Sequence, residues 1–138
     1  MSSPAARPAR RPGLHDDVFW SSVQERELRL QRCSACREVR YPPGPVCPKC
    51  LDDRWTWDRM SGEAKVVAWT TFHRKYFDDL PVPYVIVSAE LPEGPLLVAD
   101  FAASAGVVAV IGMEVRLEFV LVRTGAEPWW IYQWVPAP

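Results

Sequence analysis

Cys33, Cys36, Cys47 and Cys50 are the residues whose type and spacing most directly specify chemistry in this 138-residue sequence. They form two C-x2-C pairs, Cys33-Ser-Ala-Cys36 and Cys47-Pro-Lys-Cys50, each spanning one tight knuckle, with Arg37 to Val46 between them. Zinc prefers four thiolate or imidazole ligands in a tetrahedron, and two facing knuckles supply that shell from short side chains. A rubredoxin-like iron site could use the same four sulfurs, whereas a redox dithiol calls for a C-x-x-C beside a strand-helix unit. Zinc is the expected metal, in a structural role, because four thiolates leave no open position for water. So few apolar residues lie between Leu30 and Trp55 that removing the metal should unfold at least this part of the chain.

Two further groups of residues could meet a ligand or partner. His73, Arg74, Lys75 and Tyr76 lie within Phe72 to Phe77, a basic and aromatic cluster suited to a phosphorylated cofactor or a single-stranded nucleic acid. The same composition suits a solvated loop whose aromatics plug one end of a barrel. Trp129, Trp130 and Trp134 fall within six residues on a final strand, so their indoles cannot all point to one side. With Trp20 they are candidates either for a partner interface or for core packing. No G-x-S-x-G, Cys-His pairing, P-loop or G-x-G-x-x-G pattern is present, and His15 joins no triad. The sequence offers no nucleophile, so catalytic residues are expected to be none.

The elements that must position these groups read as mainly β. Residues 1–13 mix Pro, Ala, Ser and Arg without apolar periodicity and are expected to form a disordered tail. A helical segment is expected over 14–30, capped near Asp16 and Asp17, with Phe19, Trp20 and Val23 on one face. A ribbon follows over 31–60: Leu28 and Leu30 alternate with Arg29 and Gln31 into the first cysteine pair, and Trp55 and Trp57 alternate along a closing strand. Ser61-Gly62 opens the last segment, 61–138. Its predicted strands are Ala64 to Thr71, Tyr84 to Leu91, Pro95 to Phe101, Val107 to Ile111, Glu114 to Val122 and Trp129 to Val135. Val115, Leu117, Phe119 and Leu121 give the fifth of these one buried face. This pattern points to a C-terminal OB-fold barrel, with a sandwich as the other arrangement.

Composition narrows the partners. From Trp55 onward there are six Lys/Arg; from Asp58 onward there are ten Asp/Glu, the opposite of what backbone phosphates select. No apolar run is long enough to span a bilayer, and the arginine-bearing start lacks the apolar stretch of a signal peptide, so a cytoplasmic setting is expected. In that setting, paired cysteines are metal ligands more readily than disulfides.

The sequence resembles the family of zinc-ribbon and OB-fold proteins catalogued as domain of unknown function 35, which are often encoded beside thiolases. The resemblance covers most of the chain. It rests on Phe19-Trp20, Leu28-Arg-Leu-Gln-Arg-Cys33, Cys36, Tyr41-Pro-Pro43, Cys47-Pro-Lys-Cys50, the Trp57 to Gly62 junction, Pro83-Tyr84, and Ile111-Gly112-Met113 before Val115. Family members often carry a further glycine after the Ser-Gly junction, where this chain has Glu63-Ala64. The resemblance implies a helical N-terminus, a rubredoxin-like zinc ribbon and an OB barrel. It also implies a non-catalytic accessory subunit that binds a thiolase-superfamily enzyme, whether thiolase, acyltransferase or steroid side-chain aldolase. Such a subunit helps to form the acyl-CoA site, in a hetero-oligomer whose enzyme carries the chemistry. Zinc ribbons and OB barrels also hold single-stranded nucleic acid, and that remains the alternative.

Overall fold

The computed structural model describes residues 5–8, 11, 13–104, 106–125 and 127–138. The described chain runs β1 (Ala5–Arg7), α1 (Asp17–Gln24), β2 (Arg29–Cys33), β3 (Val39–Arg40), β4 (Trp55–Arg59), β5 (Glu63–Phe72), β6 (Tyr84–Glu90), β7 (Leu96–Asp100), β8 (Glu114–Thr124) and β9 (Glu127–Pro136). It is mainly β, with one short helix among the described residues, and no helix there is long and apolar enough to cross a membrane.

β3, β2 and β4 form an antiparallel three-stranded ribbon, and β5 to β9 form a curled sheet. The curl follows from β5, which pairs with β8 through Glu63 to Lys65 and with β6 through Lys65 to Phe72, bending at a bulge between Val66 and Ala68. β6 pairs with β7, and β8 with β9. The ring closes where Phe101 bridges Trp134 and Ala102 N–H donates to the Trp134 carbonyl at 2.9 Å. The circuit β5-β6-β7-β9-β8 is that of an OB barrel. Inward positions are apolar: Val66, Val87, Leu97, Val115 and Trp134 are at most 1% exposed. Trp134 Nε1 donates to the Leu97 carbonyl at 3.1 Å, so its one polar group is satisfied inside the core.

The helix packs on β9 by two devices. Phe19 and Trp20 meet Tyr132 at ring separations of 5.9 Å each, the second pair stacked. Gln24 then behaves as a strand would: its Nε2 donates to the Trp130 carbonyl and its Oε1 accepts from Trp130 N–H, both at 3.0 Å. Asp16 stands at the N-cap position, yet its side chain makes no cap bond and instead accepts from Gly13 N–H at 2.9 Å.

Ribbon and barrel join through Met60, Ser61 and Gly62. Met60 is 4% exposed and donates its N–H to the Leu28 carbonyl at 2.7 Å. The Gly62 carbonyl accepts from Leu117 N–H at 2.8 Å, and its φ of 82° lies where a side chain is rarely accommodated.

Two expectations are corrected by the structure. Val107 to Ile111 form no strand; Ala109 is buried, while Val107, Val108, Val110 and Ile111 are exposed. An apolar run without alternation does not distinguish a strand from a segment that crosses a barrel end. On β8 the alternation fails at Leu121, which is exposed while Val122 is 1% exposed, beyond the stretch that pairs with β5. The tail expected over 1–13 lies partly outside the described residues, at 1–4, 9, 10 and 12. Within it, Ala5–Arg7 run parallel to Val122–Thr124 as β1, and Arg7 pairs with Asp100 at 3.0 Å.

Candidate metal centre

Two knuckles of the same design bring the cysteines together. In the first, Arg37 N–H donates to the Cys33 carbonyl at 3.0 Å; in the second, Leu51 N–H donates to the Cys47 carbonyl at 2.8 Å. The residue after each second cysteine takes a left-handed conformation, Arg37 at φ 67° and Leu51 at φ 65°. That conformation usually favours glycine, which explains why the repeat of the motif was invisible beyond the cysteines. Further N–H groups point at sulfur: Cys36 N–H at 3.5 Å from Cys33 Sγ, and Lys49 N–H at 3.4 Å from Cys47 Sγ.

The four Sγ atoms lie within 4.8 Å of one another, with Cys33 to Cys50 and Cys36 to Cys47 both at 3.5 Å. None of the four cysteines is in a disulfide. A tetrahedral zinc with Zn–S near 2.3 Å needs sulfurs about 3.8 Å apart, so the arrangement fits one zinc ion. The charges make the same point. Hydrogen bonding from the Cys36 backbone N–H pulls the Cys33 thiol down to about 6, and the Cys50 backbone N–H lowers Cys47. The Asp52 backbone acts to lower Cys50, but its hydrogen bond with Cys33 and lost hydration outweigh that and push it up to about 12. Without a cation, four clustered sulfurs cannot all be thiolates; a divalent ion removes that conflict.

Behind the metal ligands lies a polar core that sequence reasoning did not find. Gln31 is fully buried on β2, and its Oε1 accepts from Arg40 Nε at 2.9 Å and from Gly44 N–H at 2.8 Å. Arg40, 6% exposed, also donates to the Gly44 carbonyl at 3.1 Å and lies 5.1 Å from the centre of the Trp55 ring. These bonds pin the Pro-rich turn to the central strand of the ribbon. Gln31 sits between apolar and charged neighbours in the sequence, so nothing in its pattern marks it as buried.

The other predicted residues are dispersed. His73, Arg74, Lys75 and Tyr76 are all exposed on the loop from β5 to β6, with the Arg74 guanidinium 5.2 Å from the Tyr76 ring centre. Phe72 and Tyr84 stack at 5.2 Å across the base of that loop. Trp20 and Trp129 are partly buried with ring centres 6.4 Å apart, and Trp130 lies under the Arg26 guanidinium at 4.9 Å. Trp20 also lines a cleft of about 370 Å³ with Arg11, His15, Tyr41, Pro42 and Pro43. The structure therefore gathers the three tryptophans around the helix and β9, whereas His73 to Tyr76 lie on the β5–β6 loop.

Comparison with known proteins covers both parts of the chain. Residues 20–56 match the family described as "ChsH2, rubredoxin-like zinc ribbon domain", and residues 57–120 match "ChsH2, C-terminal OB-fold domain". The chain is 36% identical over 118 residues to a probable enoyl-CoA hydratase alpha subunit of Thermomonospora curvata, covering 84% of this chain and 36% of that protein. It is 30% identical over 103 residues to a DUF35 domain-containing scaffold protein of Methanocaldococcus jannaschii, covering 72% of this chain and 73% of the relative. A solved structure, "Ltp2-ChsH2(DUF35) aldolase", is similar with a TM-score of 0.79 and 30% identity, over 93% of this chain and 100% of that one. The chain thus spans about a third of the hydratase subunit and the whole of the solved chain.

Proposed function

This chain belongs to the DUF35 family of zinc-ribbon and OB-fold proteins that includes ChsH2, and from that premise we propose that it is a non-catalytic accessory subunit of an acyl-CoA enzyme complex. The observation that carries this reading is the end-to-end likeness to the chain of an Ltp2-ChsH2(DUF35) aldolase, helix, ribbon and barrel together. The hydratase-subunit relative supports acyl-CoA as the substrate class. The enzyme in the hetero-oligomer is a thiolase-superfamily protein: a thiolase, an acyltransferase or a steroid side-chain aldolase.

In this reading Cys33, Cys36, Cys47 and Cys50 hold one zinc ion that fixes the ribbon and takes no part in turnover. Its four sulfurs fill a tetrahedron, so neither water nor a substrate carbonyl reaches the metal. The loop with His73, Arg74, Lys75 and Tyr76 offers cations and a ring to the phosphates and adenine of CoA, or to the partner. Trp20, Trp129 and Trp130 form the second contact surface. The enzyme subunit supplies the reacting groups, and this chain shapes the mouth of the acyl-CoA site.

Co-expression of the tagged full chain with thiolase-superfamily acyl-CoA enzymes of its own cell tests the proposal. The expected result is a stable hetero-oligomer that turns over acyl-CoA while the pure chain alone does not. Turnover by the pure chain, or failure to assemble with any such enzyme, overturns it. Salt-dependent micromolar binding of single-stranded oligonucleotides would favour the nucleic-acid reading instead.

A further inference from the structure

The outer edge of β5 beyond Val66 carries backbone groups that the barrel itself does not use. Phe101 N–H donates to the Val85 carbonyl at 2.9 Å, which turns the Val85 peptide groups toward β7. Thr71 stands opposite Val85, so it occupies a non-hydrogen-bonded pair and directs its own N–H and C=O away from β6. Trp69, opposite Val87, repeats that orientation two residues earlier. The same phase is fixed independently across the bulge. Val66 accepts from Gly112 N–H at 2.8 Å and donates to the Met113 carbonyl at 2.9 Å. Past Val66, no described residue pairs with this edge.

The surroundings of the edge are apolar on one side and cationic at one end. Val67 and Trp69 are 38% and 47% exposed, and Val107, Val108, Val110 and Ile111, all exposed, immediately precede Gly112. Beyond Phe72 come His73, Arg74 and Lys75, while Asp78 and Asp79 lie further out in the turn closed by Leu80 N–H on the Phe77 carbonyl. Donor and acceptor pairs repeating every second residue along an open edge match one ligand chemistry, another extended polypeptide. A second copy of this chain is a poor occupant. Antiparallel pairing of two such edges about Thr70 brings Arg74 and Lys75 of each copy opposite Val66 and Lys65 of the other, where Met113 and Glu114 already hold the edge, and parallel pairing in register sets Arg74 against Arg74; neither gives the cations an opposite charge on a free strand.

We propose that the Val67 to Phe72 edge receives an extended apolar segment of the partner enzyme subunit, acidic at the end that meets Arg74 and Lys75, as one added strand of the barrel sheet. The proposal rests on the accessory-subunit reading and names the docking surface within it. The added strand would cover the exposed apolar side chains, and the charge match would set its direction.

Amide hydrogen exchange on the zinc-loaded chain, alone and in complex with its co-expressed enzyme subunit, tests this. In the complex the Trp69 and Thr71 amides are expected to slow by about tenfold or more, while those of Thr70 and Phe72, already directed at β6, change little. Thr71→Pro removes an outward donor that β6 does not need and should weaken assembly by about tenfold or more with zinc content unchanged. Arg74→Glu combined with Lys75→Glu, in an exposed loop, should weaken it by about tenfold and invert its salt dependence, because added salt then screens a repulsion. A complex that assembles while the Trp69 and Thr71 amides stay as fast as in the free chain overturns the docking site and leaves the accessory role standing. Slowing of the same amides in a homodimer of the isolated chain also overturns it. A chain that assembles with no acyl-CoA enzyme overturns both readings.

Discussion

The ribbon and the barrel are held together by different means. In the barrel, Val66, Val87, Ala89, Leu97, Val115 and Trp134 form a buried apolar core within the paired strands β5 to β9, closed between β7 and β9 by the Phe101 to Trp134 bridge. In the ribbon the inner positions near the cysteines are Gln31 and Arg40, a polar pair that contributes geometry more than apolar burial. The barrel stores its stability mainly in buried area, whereas the ribbon adds coordination and hydrogen bonds to the smaller share of the core it supplies through Leu30 and Val39. It follows that the two halves should respond to different insults.

Losing the metal is the most severe test of that contrast. Cys47→Ser should abolish zinc binding and collapse the 29–59 region, because structural zinc in such sites contributes on the order of 10 kcal/mol. Amide spectra should show the ribbon signals merging while those of Val87 and Leu97 stay dispersed; loss of both sets would break the contrast. Trp134→Ala strikes the other half and should cost about 3–5 kcal/mol in urea unfolding of the zinc-loaded protein, with the metal retained in the folded fraction. Gln31→Leu leaves Arg40 and Gly44 without their shared acceptor and should cost about 2 kcal/mol, seen as faster zinc loss to a chelator at an unchanged barrel midpoint.

The smallest effect concerns pH. Arg32 Nε lies 2.7 Å from Asp58 Oδ2, and that hydrogen bond, helped by one from Thr56, holds the Asp58 carboxyl below its ordinary value. Protons therefore bind the unfolded chain more readily than the folded one at this site. The contribution to ribbon stability is complete above about pH 4, the unfolded value, and fades as pH falls through the folded pKa. Asp58→Asn should shallow the acid limb of ribbon stability slightly and leave the barrel curve unchanged.

The same contrast governs how much could be read from the sequence. The cysteine spacing specified the ribbon, because tetrahedral coordination permits few arrangements of two C-x2-C pairs. Five barrel strands announced themselves as strand-like segments separated by turn signals, and Phe19, Trp20 and Val23 by helical spacing. Val107 to Ile111 misled because their hydrophobicity faces outward. Gln31, Arg40 and Gln24 act through long-range hydrogen bonds, and local periodicity carries no trace of a partner such as Trp130 in another part of the chain.

The junction between the halves has a consequence for how such chains can vary. Met60 is buried and bonded to Leu28, and Gly62 is bonded to Leu117, so the three residues joining ribbon and barrel are fastened at both ends. Adding or deleting a residue there would flip the inward and outward positions of β5 relative to β4 and break both attachments at once. Length changes should instead accumulate in the β5–β6 loop, where residues 73–79 are exposed and the chain can bulge into solvent without disturbing the angle at which the metal knuckles stand on the barrel.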